Sequence, residues 1–284
     1  MNKAKSVLIM GSLLVGVFFT SCSDENKHFN ESNLNEQVVD KPWLKKVPQN
    51  VIEAAAKLQL NVDHIGYDVF YFPDGTSEER LFVEKDIAMT EQEILSLAAS
   101  QNKRQYSTNN LVSKGRNISI VGFTGSPGGL SSRGIKGLKK AVKNFNNLNL
   151  NIKFTLSFGV NYDNMDMVVY NPRNNGAGGM AGFPKKGKPH KWIQIWGLEN
   201  ESVSINEHVI THEIGHAVGL RHTDWFSRAS CGENYNEGSA GVGANHIKGT
   251  PKDYDATSVM LACGFRGMTG NFNKNDKKAL RKLY

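Results

Sequence analysis

Residues 212–222 read His212-Glu213-Ile214-Gly215-His216-Ala217-Val218-Gly219-Leu220-Arg221-His222. The pattern around them is helical: Ser204 followed three residues later by Glu207 suits a helix start. Val209, Ile210, Ile214, Ala217 and Val218 then supply a buried stripe. Four residues of helix rotate the side-chain direction by only about 40°, so His212 and His216 project together from adjacent turns. Imidazoles so placed can share one Zn²⁺ at about 2.0–2.1 Å. Were the helix to continue, His222 would lie about 9 Å further along the axis and face away. Gly219 is the residue best able to end the helix in a left-handed conformation and swing His222 back. Three neutral imidazoles leave a fourth position for water, the pattern of a catalytic rather than a structural zinc. Glu213 points toward that position as a general base. It would take a proton from attacking water and hand it to the leaving amine of a peptide bond. An ordinary amphipathic helix can contain His-Glu-x-x-His by chance, but the third histidine at this spacing makes the pattern highly specific.

Outward from this stretch, composition sets bounds. The chain has 284 residues, 39% of them hydrophobic and 21% charged, with 28 Gly and 8 Pro. These values exclude a collagen-like, coiled-coil or wholly disordered polymer. The net charge of +7 hides an asymmetry: residues 1–110 carry 11 Lys/Arg against 15 Asp/Glu, and residues 111–284 carry 23 against 12. An acidic front and a basic back suggest two parts that attract each other. The basic residues are scattered, which argues against a nucleic-acid partner.

The chain begins with an address. Lys3 and Lys5 precede the apolar run Val7–Phe19, and Thr20-Ser21-Cys22 follows, so residues 1–21 read as a secretory signal peptide. The run is too short for a spanning helix. Cys22 sits where bacterial lipoproteins keep an acylated cysteine, and the segment resembles a lipobox with Phe19 in place of the usual Leu. Setting Cys22 aside leaves Cys231 and Cys263, an even pair in a compartment that permits a disulfide. The expected location is the outer membrane or cell surface, with the catalytic part released outside.

Residues 22–45 are polar and Asn-rich, a tether. Residues 46–100 read as a small α+β unit: helix 51–60, strands 67–72 and 80–83 about the turn Pro73-Asp74-Gly75, and helix 90–97 opened by Thr90-x-x-Glu93. Residues 101–116 read as an exposed linker, with Lys103-Arg104 and Lys114-Gly115-Arg116 open to proteolysis. From 117 to 284 the reading is α/β (α+β). It has strands 118–123, 152–158, 165–170 and 192–196, helix 131–145, the active-site helix and a last helix after Asn273. The glycines at 176, 178, 179 and 182 mark an edge strand or a plain loop. Asp163 and Asp166 are a candidate pair for a structural Ca²⁺, with a solvated loop as the plainer reading.

The motif over 212–222 resembles that of the metzincin metallopeptidases. His212-Glu213-Ile214-Gly215-His216 with Arg221-His222-Thr223-Asp224-Trp225 is similar to the bacterial dual-action HEIGH group, over roughly residues 112–284. The resemblance implies a mixed twisted sheet, an active-site helix, a methionine turn at Ser258-Val259-Met260 and a closing helix ending at Tyr284. It also implies that the strand near Gly178–Phe183 binds extended substrate by edge pairing. Ala262 stands where astacin-like and serralysin-like enzymes carry a tyrosine, and Thr223 departs from the best-known subfamilies. A Cys231–Cys263 bridge would pin the wall of the specificity pocket and stabilise the loop by about 3–4 kcal/mol.

The front segment resembles a propeptide in position and size. No cysteine lies between Ser23 and Ser230, so a cysteine switch is absent. A carboxylate or imidazole among Asp63, His64, Asp68 and Asp74 is expected to occupy the cleft; a spacer without inhibitory role is the alternative. Two classes of function stand: a membrane-anchored, monomeric zinc endopeptidase acting on proteins or peptides, or a non-catalytic surface-binding lipoprotein on a metal-stabilised scaffold. Glu213 favours the first, because stability alone requires the histidines and not this carboxylate.

Overall fold

The computed structural model describes residues 45–57, 60, 62, 65–83, 86–99, 107, 108, 110–234, 236, 246–264 and 267–284. The expected signal peptide, Cys22, nearly all of the tether, Asp63 and His64 lie outside the described residues.

A five-stranded sheet carries the larger half. Its strands are β4 (Asn117–Phe123), β5 (Lys153–Gly159), β6 (Met167–Tyr170), β7 (Gly178–Met180) and β8 (Trp192–Trp196). Their order is β5-β4-β6-β8-β7, parallel except for β7, which closes the edge antiparallel to β8. Successive side chains on a strand face opposite sides. Ile118, Ile120, Met167, Val169, Ile193 and Ile195 thus join the main core with the helices α3 (Ser132–Asn146) and α4 (Val203–Ala217). Val121, Phe123, Val168 and Tyr170 form a cluster with Trp192 on the opposite face. Both faces are covered, which is why β6 reads as an uninterrupted buried run. The last helix, α5 (Lys274–Leu283), opens with Asn273 and Asp276 in a reciprocal capping box.

The smaller half builds its own sheet, β1 (Ile65–Tyr71), β2 (Ser77–Val83) and β3 (Ile87–Met89), antiparallel in that order. Helices α1 (Gln49–Lys57) and α2 (Glu91–Ala99) pack a core of Val51, Leu81, Val83, Ile87 and Ile94. Thr90 and Glu93 cap α2 reciprocally, as their spacing predicts. Strand β3 is absent from the sequence reading: three residues are too few to show a period.

Three expectations change. The expected exposed linker changes in part: Ser113, Lys114 and Gly115 are exposed, whereas the described residues before them pack against the larger half. Ser107, Thr108 and Val112 are buried, and Thr108 N–H donates to Gly219 O at 2.8 Å. Arg116 pairs with Asp166. That stretch is polar because its backbone hydrogen-bonds to loops rather than to a ladder, so it shows no hydrophobic period. Residues 101–106 lie outside the described residues. The halves are joined largely by apolar surface rather than by the expected opposition of charge. Phe70, Ala88, Met180 and Trp196 form one cluster, and Phe72 stacks edge-on against Trp192 at 5.1 Å. Asp166 accepts from Arg116 at Oδ1 and from Ser119 N–H and Oγ–H at Oδ2. The carboxylate therefore ties β4 to the loop before β6, in place of the calcium role considered for Asp163 and Asp166.

Candidate active site

Helix α4 is the floor of the site. Its N-cap is Ser202, whose side chain accepts from Ile205 N–H, and not Ser204. Glu207 serves elsewhere: it accepts from Lys140 Nζ and Asn144 Nδ2 on α3 at 2.9 and 2.8 Å. Nor is burial confined to one stripe, for every residue from Asn206 to Ala217 is buried. The helix runs through the middle of the molecule, with α3 and the sheet on one side and the loop 258–270 on another. Periodicity in sequence sees only the apolar fraction of that burial.

The chain leaves the helix where expected. Gly219 has φ of 105°, a left-handed conformation open to glycine at little cost. Its N–H donates to His216 O, and Leu220 N–H donates to Gly215 O, at 2.8 Å each. His222 is thereby returned to the other two histidines. The Nε2 of His216 lies 3.0 Å from that of His212 and 3.2 Å from that of His222.

Two ring orientations are fixed from behind. His212 Nδ1 bonds Val259 O at 2.9 Å, and His216 Nδ1 bonds Leu220 O at 2.9 Å. A carbonyl only accepts, so each Nδ1 carries the proton and each Nε2 presents a lone pair. Two such lone pairs 3.0 Å apart cannot bond each other and are stable together only around a cation. Tetrahedral ligands at zinc–nitrogen distance would stand about 3.3 Å apart. The donor set therefore fits a zinc ion.

Met260 lies beneath this group. It is buried, and a Cβ placed on Gly215 would meet its Sδ at 2.5 Å, so the turn packs directly under the helix. Met260 O accepts from Thr223 N–H at 2.8 Å, which joins the turn to the residue after His222. Asp224, fully buried, accepts from Ala262 N–H at 2.9 Å and from Ser230 N–H and Oγ–H at 3.0 and 2.6 Å. Cys231 and Cys263 form the disulfide, across a sequence separation of 32 residues.

Glu213 is buried, and its Oε2 has no hydrogen-bond partner among the described residues. Burial pushes its carboxyl well above the usual carboxylate range, and the negative charge of Asp86 adds to that rise. Burial likewise holds His216 well below the usual imidazole range, the form a metal ligand needs. The edge strand β7 passes directly over Glu213: a Cβ on Gly179 would land on Oε1 and meet Val209 Cγ1 at 2.8 Å. The glycine-rich segment is thus an edge strand that the Glu213 carboxylate obliges to be thin.

One residue of the site escaped the sequence reading. Asp86 Oδ2 stands 2.8 Å from His222 Nε2 and 3.9 Å from the Nε2 atoms of His212 and His216. Together these four residues are a candidate metal-binding group, their donor atoms all within 4.8 Å of one another. Burial opposes a charge on Asp86, but His222 and then the other imidazoles hold its carboxyl well below the usual range. Neither Asp68 nor Asp74 fills this position: Asp68 lies on β1, and Asp74 caps its own turn through Thr76. The available signal was slight, an acid between the apolar runs Leu81–Val83 and Ile87–Met89.

Comparison with known proteins follows this geometry. A family described as dual-action HEIGH metallo-peptidase matches residues 81–284. Among solved structures, one titled "Crystal structure of myroilysin" aligns with a TM-score of 0.37 at 15% identity, covering 62% of this chain and 86% of that one. A second, titled "Structure of myroilysin", gives 0.41 at 13% identity, covering 63% and 97%. No curated protein matches significantly.

Proposed function

The chain belongs to the dual-action HEIGH metallopeptidase family, and from that premise we propose that it is a zinc-dependent endopeptidase of metzincin type. The observation that carries the reading is the pairing of three converging imidazoles with a buried glutamate whose Oε2 has no hydrogen-bond partner among the described residues. His212, His216 and His222 would hold the ion, which when bound supplies a Lewis acid that polarises the peptide carbonyl and acidifies water. Val259 O and Leu220 O keep two of the rings in the productive tautomer. Glu213 takes the proton of the attacking water and delivers it to the leaving amine. A dry pocket that already favours the protonated carboxyl supports that transfer. Strand β7 offers its outer edge to an extended peptide, and the closeness of Gly179 to Glu213 sets that peptide beside the base.

A purely structural metal site has no use for Glu213, which disfavours the non-catalytic reading. The test is casein digestion by zinc-loaded chain cut within residues 101–106. Activity should vanish on chelation and in Glu213→Ala; retained activity in that variant overturns the mechanism.

Export completes the proposal. Residues 1–21 act as signal peptide, Cys22 takes the lipid anchor, 22–45 form a tether and 46–100 a prosegment. The protein would stand at the outer membrane or cell surface as a monomer, without a nucleic-acid partner. The Cys231–Cys263 bridge supports an oxidising destination. Among the described residues no helix is long and apolar enough to cross a membrane. Metabolic labelling with a fatty acid, lost in Cys22→Ser, checks the anchor.

A further inference from the structure

We propose that Asp86 is the fourth metal ligand of the uncut chain, and that strand β3 is a built-in peptide holding the substrate edge closed. The inference rests on the peptidase reading and names the regulation of that same site.

Two independent contacts meet at this point. The first is chemical. Asp86 Oδ2 converges with three imidazole nitrogens, and its Oδ1 is buried without a hydrogen-bond partner among the described residues. With the Nδ1 protons of His212 and His216 committed to carbonyls, those two rings have no proton to offer the carboxylate. An anion placed against lone pairs in a dry pocket is strongly unfavourable. A shared cation turns the same arrangement into four bonds and satisfies every donor atom at once.

The second contact is a backbone one. Ala88 N–H donates to Ala181 O at 3.0 Å, and Ala181 N–H donates to Asp86 O at 2.9 Å. Ile87 therefore bridges Ala181 in parallel, while the other side of β3 is paired with β2. At Ala181, one residue past β7, the edge that should receive substrate is bridged instead by the chain's own strand. What that strand sends toward the histidines is a side-chain carboxylate and not a peptide carbonyl, so the occupant is held without being a substrate. Nothing loose holds it there: Ile87 and Ala88 are fully buried, and Ala88 joins Met180 and Trp196 in the apolar seam. The carboxylate at the histidines and the strand at the edge are parts of one latch, so losing the carboxylate loosens it and losing the folded front half removes it.

The experiment uses the full, uncut chain with Co²⁺ in place of zinc. Asp86→Ala and the nearly isosteric Asp86→Asn should each change the position and intensity of the visible Co²⁺ bands, as the carboxylate is lost from the ion. Both should release zinc to a chelator about tenfold or more faster, the size of effect expected when a ligand or its support is removed. Uncut Asp86→Ala should also digest casein at least tenfold faster than uncut wild type. Spectra and release rates identical to wild type in both variants overturn the proposal, even if the cut chain is active. Changed spectra with no casein digestion by either the Asp86 variants or the cut wild type uphold Asp86 as ligand and refute the peptidase reading. Changed spectra with a silent uncut variant but an active cut chain show that Asp86 is a ligand and refute its role as the latch.

Discussion

At the scale of single residues, the site depends on side chains whose freedom has been removed. Glu213 has one oxygen without a hydrogen-bond partner among the described residues and the other beneath Gly179. Replacing it by Gln keeps the volume and removes the base, so turnover should fall about 10²–10⁴-fold with zinc content unchanged, as checked by kinetics and elemental analysis. Gly179→Ala places a methyl group against Glu213 and Val209. Overpacking of this kind costs about 1–3 kcal/mol, and both the melting temperature and kcat should drop. His208 carries a pH prediction. It is buried, its Nδ1–H donates to Thr269 O, and burial, with the neighbouring His212 adding to it, lowers its pKa to about 4. The unfolded chain protonates this ring near pH 6.5 and the folded chain only near 4. The unfolded state therefore binds the extra proton between those values, and stability falls as pH drops through that window. The loss is about 3 kcal/mol in full. Denaturant titrations from pH 7 to 4 should show it, and His208→Gln should flatten the profile.

At the scale of elements, α5 acts on the metal group from a distance. Asp276 accepts from Ser258 Oγ–H at 2.7 Å, from Val259 N–H at 3.1 Å and from Asn273 N–H at 3.0 Å. Val259 O in turn orients His212. One carboxylate thus caps its own helix and fixes the turn that aims a ligand. Asp276→Ala should weaken zinc binding about 10–100-fold, the range for loss of an outer partner of a metal ligand, with helix content by circular dichroism little changed. A competition titration against a chelating dye measures it. Tyr284 works similarly at the other end of α5: its hydroxyl accepts from Val112 N–H and donates to Val218 O, at the point where α4 ends. The last helix and the tyrosine that follows it therefore reach both the turn behind His212 and the end of α4.

At the scale of the molecule, the halves meet across the cleft, and the Cys231–Cys263 bridge closes the loop between the third histidine and the methionine turn. Cys231→Ser with Cys263→Ser should lower stability by about 3–4 kcal/mol by the loop-entropy relation, read from chemical unfolding of the zinc-loaded chain. Much of this whole was legible in advance. The histidine spacing, the helix break at Gly219 and the main strands of the larger half follow from local rules, a period of 3.6 or 2 and a left-handed glycine, while the cysteine pair follows from counting and Met260 from the family resemblance. The local signals lie within a few residues of each other, so sequence alone determined them, and with them the gathering of three imidazoles at one point. The rest joins residues far apart in the chain. The 125 positions between Asp86 and His212 carry no local mark of their meeting, and the three-residue strand that makes it is too short to show a period. The same holds for Asp276 behind Val259 and for the burial of Ser107, Thr108 and Val112. Such pairings are selected by which surfaces can be desolvated together, a property of the packed whole that no window of sequence contains.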